Sequence, residues 1–231
     1  MSLADYRNIV VLTGAGISQS AGLPIYRGAS GLWSDPELAA LSHVRAMTSR
    51  RAAACDLFWQ FRGDIAKAEP TPAHRALAAF EQRLPAGASF LIVTQNVDGL
   101  HQRAGSRSVC EYHGNLATWR CDRCGTSREP PADGPAPVCC DERMRPGAVL
   151  FGELIPAAAE HTAKRALRDC DLFVAIGTSG TVAPASSFVR SAELNGARRV
   201  LLNLEAFDGA RELYGEIDTG PADDLVARWF A

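Results

Sequence analysis

The stretch Ser89–His101, SFLIVTQNVDGLH, decides the reading of this chain. Its apolar start, Ser89 to Val93, has the length and composition of a strand buried in a parallel sheet. Gln95, Asn96, Asp98 and His101 then fall at the carboxyl edge, where open α/β sheets bind their ligands. Amide, carboxylate and imidazole groups gathered there suit a sugar rich in hydroxyls better than a core. His101 alone reads as a satisfied structural group.

Strands and helices alternate on both sides of that stretch. Asn8–Thr13 reads as a strand running into Gly14-Ala15-Gly16, with a helix expected from about Ser18. Thr71–Leu84 reads as a helix stopped by Pro85-Ala86-Gly87. Ala148–Phe151, Asp171–Ile176 and Arg199–Asn203 read as strands, and Ala157–Arg168, Ala185–Asn195 and Asp223–Phe230 as helices. The alternation predicts an α/β fold with a Rossmann-like parallel sheet covered on both faces. Two inserts interrupt it. Residues 30–70 look helical and irregular. Residues 118–147 hold Cys121, Cys124, Cys139, Cys140 and five prolines, with little apolar periodicity. A large part is therefore expected over about 1–29, 71–117 and 148–231, and a small, partly zinc-ribbon-like part over about 30–70 and 118–147.

The 231 residues are 47% apolar and 22% charged, as in soluble globular proteins. A net charge of −2 supplies no field to recruit nucleic acid or an anionic membrane. Ile9–Leu12 is too short for a signal-peptide core, and no segment approaches the ~20 apolar residues of a membrane helix. Seven cysteines, four of them close together, look more like a metal site in a reducing compartment than a disulfide framework. A cytoplasmic protein is expected; nothing in the sequence fixes its oligomeric state.

Gly14-Ala15-Gly16, between a strand and a helix, lets the backbone approach a pyrophosphate at free N–H groups. The tripeptide is a weak signal alone, because Gln19 stands where the third glycine of GxGxxG belongs. No second strand ends in an acid about 20 residues on. His113, in CEYHGN, has an imidazole suited to proton abstraction near neutral pH. Cys121 and Cys124 form a CxxC knuckle. Cys139 and Cys140 are adjacent and reach one metal together only through a contorted backbone. Zinc held by four cysteines, a three-cysteine site and a metal-free insert all stay open, and in each the role is structural.

Taken together, GAGISQSAGLPIYRG (14–28), TQNVDGLH (94–101) and YHG (112–114) resemble the sirtuins, the NAD-dependent protein lysine deacylases. The resemblance runs from about residue 8 to 230. It implies that Gly14, Ala15, Gly16 and Ile17 belong to a segment wrapping NAD, with Arg27 near the phosphates. Tyr26 departs from the family's usual Phe. It further implies that Gln95 and Asn96 bind ribose or an ordered water, that Asp98 holds the carboxamide, and that His113 is the general base, with Asn96 beside it. Gly177-Thr178-Ser179, Asn203 and Ala222 would meet the adenosine portion. Val149, Phe151, Gly152 and Glu153 would pair with the acylated-lysine substrate as an added strand. In the family's second cysteine pair, Cys140 matches the last ligand and Pro137 occupies the other's place.

The reaction so implied starts with attack of the acyl oxygen on C1′ of the nicotinamide ribose and loss of nicotinamide. His113 then draws a proton from a ribose hydroxyl, that hydroxyl closes on the imidate carbon, and water completes the release of free lysine and O-acyl-ADP-ribose. ADP-ribosyl transfer to a protein and a non-enzymatic NAD-sensing module are the alternatives. Some sirtuins that remove succinyl and malonyl groups carry Tyr-x-x-Arg where this chain has FWQFR, residues 58–62. Arg62 then matches the Arg, with Trp59 in place of the Tyr, as a pair for an acyl carboxylate. The bland reading puts Trp59 and Phe61 in helix core and Arg62 solvated on the surface.

Overall fold

Unbroken runs of β-branched and large apolar residues build the centre of the molecule. In the computed structural model, which describes residues 3–26, 31–131 and 133–231, NIVVLT forms β1 (Asn8–Thr13), SFLIVT forms β2 (Ser89–Thr94) and VCE forms β3 (Val109–Glu111). There follow β4 (Gly114–Arg120), β5 (Ser127–Arg128), β6 (Val138–Cys139), β7 (Glu142–Arg143) and β8 (Arg145–Ala148). LFVAI forms β9 (Leu172–Ile176), RRVLLN β10 (Arg198–Asn203) and EIDT β11 (Glu216–Thr219). The main sheet runs β11-β10-β9-β1-β2-β3 and every pair in it is parallel. Counted within the sheet, this is the doubly wound order, which reverses between β1 and β9 and opens a crevice there.

The helices are α1 (Pro36–Leu41), α2 (Ala46–Ser49), α3 (Arg51–Lys67), α4 (Pro72–Arg83), α5 (Leu100–Arg103), α6 (Ala157–Arg168), α7 (Phe188–Leu194), α8 (Ala210–Leu213) and α9 (Ala222–Trp229). Strand alternation divides the core. Ile9 and Val11 of β1 pack with Leu77 and Phe80 of α4 and Val226 of α9. Val10 and Leu12 face the other way, against Ala163 and Leu167 of α6 and Phe188 of α7. Among the described residues, no helix is long and apolar enough to cross a membrane.

A third core joins α1–α3 to an antiparallel sheet of β5, β4 and β8, through Leu57, Phe58, Leu116, Trp119 and Met144. Some expected boundaries move. The helix expected from Ser18 is a 3-10 helix, Ala15–Ala21, starting directly off β1. The strand expected over Ala148–Phe151 lies earlier, as β8. Beyond it the Val149 N–H turns to the His113 carbonyl, and Phe151 makes an isolated bridge to His43. Edge strand β11 carries Glu216 and Asp218 and has no apolar run to announce it.

The adjacent cysteines are explained by a tight hairpin. Cys139 ends β6, and Cys140 and Asp141 form the two-residue turn to β7 with φ of 51° and 64°. Two consecutive positive φ values are what such hairpin turns require. The turn folds Cys140 back beside Cys139, with their sulfurs 3.9 Å apart and Cys124 Sγ 3.6 Å from Cys139 Sγ. All four sulfurs lie within 4.8 Å of one another. Tetrahedral zinc with bonds of about 2.3 Å sets sulfurs about 3.8 Å apart, so the donor set fits a structural zinc. Purified protein is expected to carry about one zinc per chain by elemental analysis, and Cys140→Ser to lose most of it together with thermal stability. Full zinc retention by Cys140→Ser would remove that residue from the ligand set.

At the reversal point Gly177 has φ +60°, and a Cβ there would stand 2.6 Å from the Ile17 nitrogen. Gly177→Ala is expected to cost at least about 2 kcal/mol of stability, from the left-handed backbone plus the clash, measured by urea unfolding.

Candidate active site

A cleft of about 920 Å³ lies over the carboxyl edge of the main sheet. Its floor is Gly14, Ala15 and Gly16 after β1, Gly177, Thr178 and Ser179 after β9, and Asn203 at the end of β10. Thr178 ties three strand ends together. Its Oγ1 accepts from Gln95 Nε2 at 3.1 Å, and its carbonyl accepts from Asn203 Nδ2 at 3.1 Å. With no side chain at Gly14, Gly16 or Gly177, a ligand can approach the backbone of this floor closely.

Asn96 lines the cleft but is only 4% exposed. Its amide donates to the Gly14 carbonyl at 3.1 Å and to Ser18 Oγ at 3.2 Å. Ser18 donates in turn to Asp98 at 2.7 Å, and the Leu100 N–H donates to the same carboxylate at 3.0 Å. The carboxylate of Asp98 is therefore engaged behind the wall, where it fixes Ser18 and the 98–100 turn.

His113 lines the same cleft. Its Nδ1 lies 3.1 Å from the Gln95 carbonyl. A carbonyl only accepts, so the proton sits on Nδ1 and Nε2 keeps its lone pair. Burial pushes its pKa below 6.5, although the bond to Gln95 opposes the shift. The ring is thus a neutral base at neutral pH.

Val149, Phe151, Gly152 and Glu153 border the cleft. Glu153 receives both guanidinium NH groups of Arg145 at 2.7 Å and the Leu150 N–H at 2.9 Å, which clamps the turn at Gly152. Arg145 is buried, so this ion pair is held in place. Tyr26, Trp33 and Phe151 stack into an aromatic wall, with successive ring centroids 5.3 and 5.6 Å apart. That wall escaped the sequence reading because its members lie far apart in the chain.

Several expected residues are not brought to the cleft. Ile17 is buried in the core beneath it, and Ala222 packs on the same core at the start of α9. Arg27 lies outside the described residues. Trp59 and Arg62 correct the acyl-carboxylate expectation. Trp59 Nε1 donates to the Gly134 carbonyl at 3.0 Å, and the Arg62 guanidinium donates to the carbonyls of Leu116 and Pro130 while stacking on Trp59. Both staple α3 to the cysteine-bearing insert. Phe58 and Phe61 line the cleft in their stead. Successive helix residues are turned by about 100°, so two pairs three residues apart satisfy the same spacing rule while facing different ways.

Beneath the floor, His101 Nε2 meets Thr13 Oγ1 at 2.9 Å, and His74 Nδ1 meets Thr71 Oγ1 at 2.7 Å, the ring centroids 4.6 Å apart. His101 is structural, as expected. Burial lowers both pKa values below 6.5. The unfolded chain takes up protons that the native rings refuse, so stability is fully present above pH 6.5 and lost as pH falls below it. Thermal melts from pH 7.5 to 4.5 are expected to show that loss, and His74→Gln to flatten it.

A sequence model of the Sir2 family matches residues 14–184. An NAD-dependent protein deacylase of Thermus thermophilus is 44% identical over 209 residues, covering 88% of this chain and 82% of that protein. A solved Sir2 homologue–NAD complex is 32% identical, with a TM-score of 0.87 over 99% of this chain and 90% of that one. The structure of Sir2Tm bound to a propionylated peptide is 27% identical, with a TM-score of 0.82 over 98% and 93%. The doubly wound sheet, the glycine-floored cleft and these likenesses agree, and the chain belongs to the Sir2 family.

Proposed function

We propose that this protein removes acyl groups, acetyl among them, from protein lysines at the expense of NAD, giving nicotinamide and O-acyl-ADP-ribose. The observation that carries the reading is the tautomer of His113, with Nδ1–H held by the Gln95 carbonyl and Nε2 a free base in a glycine-floored cleft. The relatives support it, being named for NAD-dependent deacylation or solved with NAD and with an acylated peptide.

NAD, when bound, supplies the ribose–nicotinamide bond that breaks and the hydroxyl that takes the acyl group. The bared backbone of Gly14–Gly16 and Gly177 suits the pyrophosphate, and Thr178, Ser179 and Asn203 suit the adenosine portion. Gln95 and Asn96 offer amides to ribose hydroxyls. His113 Nε2 accepts a proton from such a hydroxyl and raises its nucleophilicity. Val149–Glu153, clamped by Arg145, presents the chain edge along which an extended peptide lies.

Mass spectrometry of an acetyl-lysine peptide with and without NAD tests the reading. NAD-dependent deacetylation is expected, with a loss of roughly 10²–10⁴-fold in His113→Ala. The acid limb of kcat/KM is expected to have its midpoint below pH 6.5, since the base must be unprotonated and burial depresses its pKa. Labelling of a protein with ADP-ribose, with the peptide left acylated, would replace deacylation by ADP-ribosyl transfer.

A further inference from the structure

The loop between α1 and α2 packs against the run Val149–Glu153 and takes up part of its backbone. The Phe151 N–H donates to the Ser42 carbonyl at 3.0 Å, and the Val44 N–H donates to the Phe151 carbonyl at 2.9 Å. Three further N–H groups of the run are also engaged: Val149 with the His113 carbonyl, Leu150 with the Glu153 carboxylate and Glu153 with the Leu150 carbonyl. Gly152 is the exception. Its N–H and carbonyl bond to none of the described residues, and it lines the cleft. An unpaired N–H and carbonyl on one residue are what the backbone of an extended peptide pairs with.

Gly152 has φ +84°, and with no side chain of its own little but its surroundings holds it there. The place of the missing side chain is taken by His43. A Cβ on Gly152 would stand 2.8 Å from Cε1 and 2.9 Å from Nε2 of that imidazole, and 3.3 Å from Val44 Cγ1. The other ring nitrogen orients the imidazole, since the Arg45 N–H donates to His43 Nδ1 at 3.2 Å. Buried Leu41 of α1 and Ala46 and Met47 of α2 anchor the loop at both ends, in the core that also holds Leu150. We infer that His43 is a positioning residue for the acylated-lysine substrate. Its ring backs Gly152 and holds the unpaired N–H and carbonyl of that residue in place for the peptide backbone. The inference rests on the deacylase reading and adds to it a residue that does not itself line the cleft.

Calorimetry of an acetyl-lysine peptide with ADP-ribose present, where no acyl transfer occurs, measures the brace. His43→Ala is expected to weaken peptide binding about tenfold, through one loosened glycine and its hydrogen bonds, and to leave ADP-ribose binding within about twofold. With NAD, the peptide KM is expected to rise by about the same factor while kcat stays within about threefold, because His43 touches no reacting group. A double-mutant cycle separates bracing from general stability. Gly152→Ala is expected to cost roughly 100-fold in peptide affinity where its methyl meets His43, and about tenfold in His43→Ala, where only backbone strain is left. Three results would each overturn the brace while deacylation stands: peptide binding by His43→Ala within about twofold of wild type, an equal loss of ADP-ribose binding, or additive losses in the cycle. Wild type and His43→Ala decide the matter even where Gly152→Ala does not fold. Peptide binding that falls as expected, without NAD-dependent turnover by the wild type, would sink the deacylase reading and leave the brace standing. A wild type that binds no acetyl-lysine peptide would overturn both.

Discussion

The site depends on hydrogen bonding that continues one residue past the ends of the sheet strands. The Gly177 N–H reaches the Leu202 carbonyl at 3.0 Å, Gly14 reaches Ile176 at 3.0 Å, Gln95 reaches Thr13 at 2.9 Å and Tyr112 reaches Thr94 at 2.9 Å. Five adjacent strands, β10, β9, β1, β2 and β3, are laced across their carboxyl ends. Backbone groups at a strand end otherwise need other partners, and here each loop satisfies its neighbour. The lacing lets Gly16 and Gly177 come close enough to bond at 2.9 Å. It also sets Gln95 and His113 on adjacent loops, so that the carbonyl of one fixes the proton of the other.

Behind the floor the polar groups form linked sets: Asn96, Ser18 and Asp98 on one side, Thr13 with His101 and Thr71 with His74 on the other. Thr71 Oγ1 also donates to the Ile17 carbonyl at 3.1 Å, so the cap of α4 holds down the 3-10 helix over β1. A net hydrogen bond is worth about 1 kcal/mol, but an orphaned buried group costs about 1–3. Such sets therefore act more through the penalty for breaking one member than through the sum of their bonds. That penalty keeps the loops in one arrangement, which preorganises the base and the amides.

Much of this was legible in the sequence. The apolar runs before Gly14, Gln95 and Gly177 locate three adjacent strands, and the strand–helix alternation yields the parallel sheet. Gly14, Asn96 and His113 meet as the motif spacing implies, because each follows a strand end. Side-chain direction was not legible where two stripes of one helix obey the same rule. Phe58/Phe61 and Trp59/Arg62 are both three apart on α3, and only packing against Leu116 and the insert decides which pair faces the cleft. The Cys139-Cys140 pair was ambiguous for a related reason. Sequence spacing measures distance along the chain, and a two-residue hairpin with positive φ overrides it. Asp98 was assigned by its motif to the ligand, and its carboxylate accepts from Ser18 and from the Leu100 N–H of its own turn.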